Sequence, residues 1–177
     1  PANIALLPSG GIDPANGWGS SGDLRLVPDL ASRAVTSLTG APTPFDMTAG
    51  DIVHLDGLPW PVCARTALRE ALDALEAATG LKLLAAFEQE FRLLDANLPE
   101  AHPFSFAALR RAEPFAGRLH AALAEGGLEP EILLAEYGAE QFEVTVAPTA
   151  GLAAADRAIA VREIVREMAR GQGWRAC

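Results

Sequence analysis

The sequence is poor in cysteine, in positive charge and in long apolar runs, and each shortage excludes a class of protein. Two cysteines, Cys63 and Cys177, cannot form a spaced disulfide framework, so a reducing, cytoplasmic setting is expected. Lys and Arg total 14 against 23 Asp and Glu, a net charge of −9, which argues against nucleic acid or an anionic membrane as partner. No apolar run reaches spanning length, and no signal peptide opens the chain.

Half of the 177 residues are hydrophobic, enough for one domain, or for a small domain and part of another. Residues 1–23 are rich in Gly, Pro, Ser and Asn and are predicted to be a loop that follows a candidate short strand at Ile4–Leu7. Further candidate strands are Leu24–Val27 and Asp51–Asp56. Residues 31–50 are predicted to be mostly loop. We expect a small β region with too little apolar surface to fold alone.

The pattern changes after Pro61. Apolar spacing predicts helices at Thr66–Thr79, with Thr66 as N-cap and Gly80 as C-cap, and at Leu152–Arg170. A third helical stretch, Phe106–Glu125, should be interrupted at Pro114. With the strands described next, the order is helix, strand, helix, hairpin, helix. This order favours an α+β fold, an antiparallel sheet with helices on one face.

Two glutamates stand in the most apolar predicted strand. Lys82–Asp95 lacks Gly and Pro and is predicted to be one long, mostly buried strand. Residues two apart in a strand share a face, so Glu88 and Glu90 should be neighbours there, with Phe87, Gln89 and Phe91 on the other face. A hard cation such as Mg²⁺ would offset their repulsion. The alternative is an edge strand on which both carboxylates are solvated.

Two further glutamates flank a predicted hairpin turn. Glu131–Tyr137 and Gln141–Ala147 are predicted strands, joined by a turn at residues 138–140. The turn should bring Glu136 and Glu143 to one end of the sheet. Four carboxylates on two pairs of strands indicate an oxygen-ligand metal site.

In this order, the segments GLPWPVCARTAL, FEQEF and EYGAEQFEVTVAPTAGLAAAD resemble the glutamine synthetase family. Residues from Ser21 to Asp29 resemble the loop and strand that end the family's N-terminal β-grasp domain. The resemblance covers residues 20–177. It implies a partial β-grasp-like region at 1–60 and the N-terminal part of a catalytic domain at 61–177.

The resemblance also implies a metal-ligand set and a reaction. Glu88 matches a ligand of one Mg²⁺ or Mn²⁺ ion, Glu90, Glu136 and Glu143 match ligands of a second, and Glu131 matches a nucleotide contact by spacing only. The implied reaction is phosphoryl transfer from ATP to the γ-carboxylate of glutamate, followed by attack of ammonia or another amine. A homo-oligomer is expected.

Two departures from the family pattern keep other interpretations open. The family's Pro-Gly in the hairpin turn is Ala139-Glu140 here, which puts a side chain at a position of positive φ and a charge beside the proposed metal. The chain also ends before the family's remaining metal ligands and its catalytic arginines, so we expect a fragment that is inactive alone. A non-catalytic structural or regulatory member of the same fold, or an acidic metal-binding module, are the alternatives.

Overall fold

The computed structural model describes residues 7–17 and 22–177. The predicted strand at Ile4–Leu7, except for its last residue, and Ser21 of the β-grasp resemblance lie outside the described residues. The elements in chain order are β1 (Arg25–Pro28), a 3-10 helix (Leu30–Ser32), β2 (Ala34–Thr36), β3 (Phe45–Met47), β4 (Gly50–Val53), α1 (Ala64–Thr79), β5 (Leu84–Ala85), β6 (Glu88–Leu94), α2 (Phe106–Arg110), α3 (Phe115–Glu125), β7 (Pro130–Ala135), β8 (Gln141–Val146), β9 (Thr149–Ala150), α4 (Gly151–Gly171) and β10 (Arg175–Ala176).

A four-stranded antiparallel sheet with the order β10-β6-β8-β7 is the centre of the fold. Alternate residues of β6 and β8, including Phe91, Leu93, Phe142 and Val144, are buried in one core cluster. Helices α3 and α4 contribute Phe115, Leu119, Val161 and Ile164 to the same cluster, so they cover this face of the sheet. The expected α+β architecture with helices on one face is therefore confirmed for this part of the chain.

The prediction of one long buried strand at Lys82–Asp95 is wrong. The segment contains two strands, and β5 pairs with β9 whereas β6 pairs with β8. The first half is exposed, with Leu84 69% and Phe87 47% accessible. An apolar run predicts burial in general but does not identify the pairing partner, and here the chain changes partner between Ala85 and Glu88.

The helices agree with the sequence more closely. Gly80 ends α1 in the left-handed conformation at φ 72°, as predicted, but the helix begins at Ala64 with Cys63 as N-cap and no side-chain cap, so Thr66 is not the N-cap. Pro114 does separate α2 from α3. The last helix extends one residue beyond the predicted range at each end.

Residues 22–60 hold more strand than predicted. The expected strands correspond to β1 and β4, which pair with each other. Residues 31–50, predicted to be mostly loop, contain β2 and β3, a second antiparallel pair. Thr and Pro in this segment indicate turns, but the short strands between them form because each has an antiparallel partner. The β-grasp origin of this region stays a prediction.

Within residues 7–17 and 22–177, none of the helices combines the length and apolarity that crossing a membrane requires. The cytoplasmic setting stays a prediction.

Candidate metal-binding site

The face of the sheet opposite the helices carries the carboxylates. In β6, Phe91 and Leu93 are buried in the core, which fixes the pleat so that Glu88 and Glu90 point to the other face. Both are exposed, and Gln89 lies on the helix face, where its amide donates to the carbonyl of Ala158 at 2.7 Å. The predicted division of faces is confirmed for these residues.

The hairpin brings the other two glutamates to the same face. Glu143 lies in the central strand β8, directly opposite Glu90 on β6 and Leu134 on β7. Its neighbours Phe142 and Val144 are buried, so the Glu143 carboxylate points away from the core. Glu136 follows β7 immediately, and its backbone N–H donates to the Gln141 carbonyl at 2.9 Å, which closes the turn.

The backbone pairing sets how close these side chains are. The N–H of Leu93 donates to the carbonyl of Glu140, so this opposed pair is hydrogen-bonded. Such pairs alternate along an antiparallel ladder, which makes Glu90–Glu143 a non-hydrogen-bonded pair. In pairs of that type the Cα atoms are about 4.5 Å apart and the side chains are closest.

The carboxylates influence one another's ionisation. The pKa of Glu143 is raised above its ordinary value, first by burial and then by the negative charges of Glu88 and Glu136, with Glu90 adding to the effect. A hydrogen bond with Glu136 acts in the same direction. Among the residues that the structure describes, none of the four glutamates forms a salt bridge with Lys, Arg or His. A cation would therefore be accepted without displacing a side-chain partner of positive charge.

The side chains do not converge on one point. Over the described part of the chain, no three or more His, Cys, Asp or Glu side chains are placed to hold a metal ion together. Like charges that lack a cation repel one another. Glu90 accepts a hydrogen bond from Gln141 at 2.5 Å, and Glu136 accepts one from the N–H of Tyr137 at 3.2 Å.

The chemistry of the donors nevertheless fits a hard divalent cation. Carboxylate oxygens are the ligands that Mg²⁺ and Mn²⁺ prefer. On the same face, the Thr145 hydroxyl oxygen is buried and has no hydrogen-bond partner within the described residues. Thr145 lies directly opposite Glu88, so an unsatisfied polar group borders the carboxylates. The ligand assignment itself stays a prediction.

Glu131, the predicted nucleotide contact, lies apart from the turn. It is exposed and occupies the irregular position in β7, where the register shifts between Pro130 and Ile132. Glu136 follows it five positions later along the chain, about 16 Å at the usual rise of a strand. Its role as a nucleotide contact stays a prediction.

Glu140 has the positive φ that was expected for this position of the turn. Its φ is +57°, a region that favours glycine. Its carboxylate accepts a hydrogen bond from the N–H of Leu98 at 2.8 Å. Leu98 packs against the core on the helix side of the sheet. The extra charge of this turn is thus held by the loop after β6, and the departure from the family pattern has a local structural explanation.

A charged cluster outside the sheet was not predicted. Arg65, near the start of α1, donates to Asp29, Asp51 and Asp156 at distances of 2.6 to 3.0 Å. Only 11% of its side chain is exposed, and it joins the N-terminal strands to α4. The three aspartates raise the pKa of Arg65, the hydrogen bond with Asp156 most of all. Asp29 also caps the 3-10 helix, as turn chemistry suggests.

A model described as the catalytic domain of glutamine synthetase matches residues 61–177. The match contains all the predicted ligands. The chain belongs to the glutamine synthetase family. Residues 61–177 include the carboxylate face and helices α1 to α4 of this family member.

The chain is similar to two curated relatives. It is 35% identical over 162 residues to the γ-glutamylpolyamine synthetase GlnA3 of Streptomyces coelicolor, a match that covers 87% of this chain and 34% of the relative. It is 32% identical over 146 residues to the type-1 glutamine synthetase 1 of Dictyostelium discoideum, with 71% and 29% covered.

A solved structure described as a novel glutamine synthase homolog has a TM-score of 0.88 and 47% identity to this chain. The match covers 97% of this chain and 41% of the homolog. The chain thus spans between 29% and 41% of the length of these relatives.

Proposed function

We propose that this chain is part of an ATP-dependent ligase that joins the γ-carboxylate of glutamate to ammonia or another amine through a γ-glutamyl phosphate. The observation that supports the proposal most is the carboxylate face at the sheet and hairpin turn, where burial and then the charges of Glu88, Glu136 and Glu90 raise the pKa of Glu143. A structural subunit has no need for such a costly arrangement of like charges.

The proposed ligand roles follow the family pattern. Glu90, Glu136 and Glu143 would bind one Mg²⁺ or Mn²⁺ ion, and Glu88 would bind another. When bound, the ions would supply positive charge that offsets the negative charge developing during phosphoryl transfer. The other face of the sheet packs in the core, so the backbone of Glu88, Glu90 and Glu143 would be held in place before substrate binds.

The same proposal divides the chain into a partial β-grasp-like region at 1–60 and a catalytic region at 61–177. It also includes Glu131 as a nucleotide contact and a homo-oligomeric assembly. One relative is named a γ-glutamylpolyamine synthetase and the other a glutamine synthetase, so the amine is left as a class.

The test is a substrate-dependent assay on the natural polypeptide in its complete form. Phosphate release should require ATP, glutamate and one of ammonia, putrescine or an alkylamine, and Glu143→Gln should abolish it. Gln89→Met, on the helix face, is the matched control and should retain activity. Phosphate release that is independent of glutamate, or that survives Glu143→Gln, would contradict the proposal.

A further inference from the structure

The side chain of Gln141 connects the hairpin turn to a proposed metal ligand. Its oxygen Oε1 accepts a hydrogen bond from the backbone N–H of Gly138 at 2.8 Å. Its nitrogen Nε2 donates to the carboxylate oxygen Oε2 of Glu90 at 2.5 Å. Because the Gly138 N–H can only donate and the carboxylate only accepts, the orientation of the amide is determined by its two partners.

The position of this amide is fixed from several directions. The Gln141 backbone N–H donates to the Gly138 carbonyl at 3.1 Å, and its carbonyl accepts from Glu136. A Cβ atom at Gly138 would lie 2.5 Å from the Gln141 oxygen Oε1, so only glycine leaves space for the amide in its present position. Glycine, amide and Glu90 carboxylate therefore form one interlocked unit.

The unit acts against the repulsion within the site. Glu90 is directly opposite Glu143 in a close, non-hydrogen-bonded pair, and repulsion between the two carboxylates favours many splayed rotamers of Glu90. The hydrogen bond from the Gln141 amide to Oε2 favours one of these Glu90 rotamers. The other oxygen of Glu90 is then the atom that a metal ion would contact.

We propose that Gln141 is a positioning residue for the metal site, which orients Glu90 as a ligand through one carboxylate oxygen. This inference rests on the proposed function. Groups that orient a ligand without touching the metal typically change metal affinity 10- to 100-fold when removed. The alternative is that Gln141 stabilises the turn only.

The experiment measures Mn²⁺ binding to the 177-residue chain by electron paramagnetic resonance, with thermal unfolding followed in parallel. Gln141→Met removes the donor, and we expect Mn²⁺ affinity to fall about 10- to 100-fold. Gln141→Glu keeps an acceptor for the Gly138 N–H but cannot donate to Glu90, so affinity should also fall although a carboxylate has been added. Gly138→Ala tests the same unit without altering Gln141, and it too should weaken binding.

The matched control is Gln89→Met, which removes a side-chain donor of the same type on the opposite face of the sheet. It should lower the unfolding temperature but leave Mn²⁺ affinity within about twofold, since its side chain lies on the helix face of the sheet, opposite the carboxylates. Parental affinity in folded Gln141→Met or Gly138→Ala, or tighter binding in Gln141→Glu, would overturn this inference and leave the proposed function intact. Failure of the parent chain to bind Mn²⁺ would instead remove the site and the inference together.

Discussion

The substitution Arg65→Met should strongly destabilise the protein. Met has a similar length and retains the packing of the aliphatic stem, but it leaves three aspartates without their shared partner. Asp156 is 8% exposed and would remain as an uncompensated buried charge. Removing one partner of a buried ion pair costs about 3–5 kcal/mol.

The other two aspartates should add little to this cost. The side chains of Asp29 and Asp51 are 37% and 23% exposed, and ion pairs near the surface contribute about 0–1 kcal/mol each. Asp51 also keeps its bond to Arg69. At about 2–4 °C per kcal/mol for a chain of this size, the unfolding temperature of Arg65→Met should fall by about 6–20 °C.

The assay is urea and thermal unfolding followed by circular dichroism. Arg69→Met is the control, because it breaks one half-exposed pair with Asp51, and it should cost less than about 1 kcal/mol. Adding Asp156→Asn to Arg65→Met should recover part of the loss, since no buried charge is then left unpaired. A loss below about 1 kcal/mol for Arg65→Met would refute the conclusion that this cluster holds the N-terminal strands against α4.

Three further predictions concern pH and the hairpin turn. Without metal, Glu143→Gln should raise the free energy of unfolding at neutral pH. The pKa of Glu143 is raised in the folded protein, so this carboxyl destabilises the fold as the pH rises above its unfolded pKa of 4.5. In urea titrations the gain from Glu143→Gln should therefore vanish below pH 4.5. The pKa of Asp29 is lowered, first by the hydrogen bond from Arg65. Asp29 should therefore contribute to the free energy of unfolding above pH 3.8, and this contribution should be lost as the pH falls further. Acid unfolding curves of Arg65→Met should not show this loss. Glu140→Ala should lower the free energy of unfolding by about 1–2 kcal/mol, because it loses the hydrogen bond to Leu98 while the positive φ remains. Glu140→Gly should cost less, because glycine also relieves the strain of the positive φ. Equal losses of stability in thermal unfolding would contradict this prediction.

The sequence predicts correctly those parts of the site that depend on local structure. The alternation of Glu88 and Glu90 with Gln89 and Phe91 follows from the two-residue period of a strand. The closeness of Glu136 and Glu143 follows from the short turn between β7 and β8, as expected, whereas the pairing of Glu143 with Glu90 joins strands that are distant in sequence. The resemblance to a family added the proposed roles of these residues.

Long-range pairing accounts for what the sequence does not reveal. The ends of Lys82–Asp95 pair with different strands, and no local signal distinguishes them. Arg65 and Asp156 are 91 residues apart, and Glu140 and Leu98 are 42 apart. A charged residue near a helix start is common, so its burial among three aspartates becomes visible only when distant segments are packed together.

The most direct test of the proposed metal site is a Mn²⁺ titration of the parent chain, Glu143→Gln and Glu88→Gln by electron paramagnetic resonance. We expect one weakly held ion per chain, because Glu90, Glu136 and Glu143 are the proposed ligands of one ion, whereas Glu88 alone would not retain an ion that loses its water reluctantly. Binding should weaken as the pH falls, since protons compete for the carboxylates. Glu143→Gln should abolish binding and Glu88→Gln should change it little. Two equivalent ions per chain, or binding unchanged in Glu143→Gln, would contradict the account.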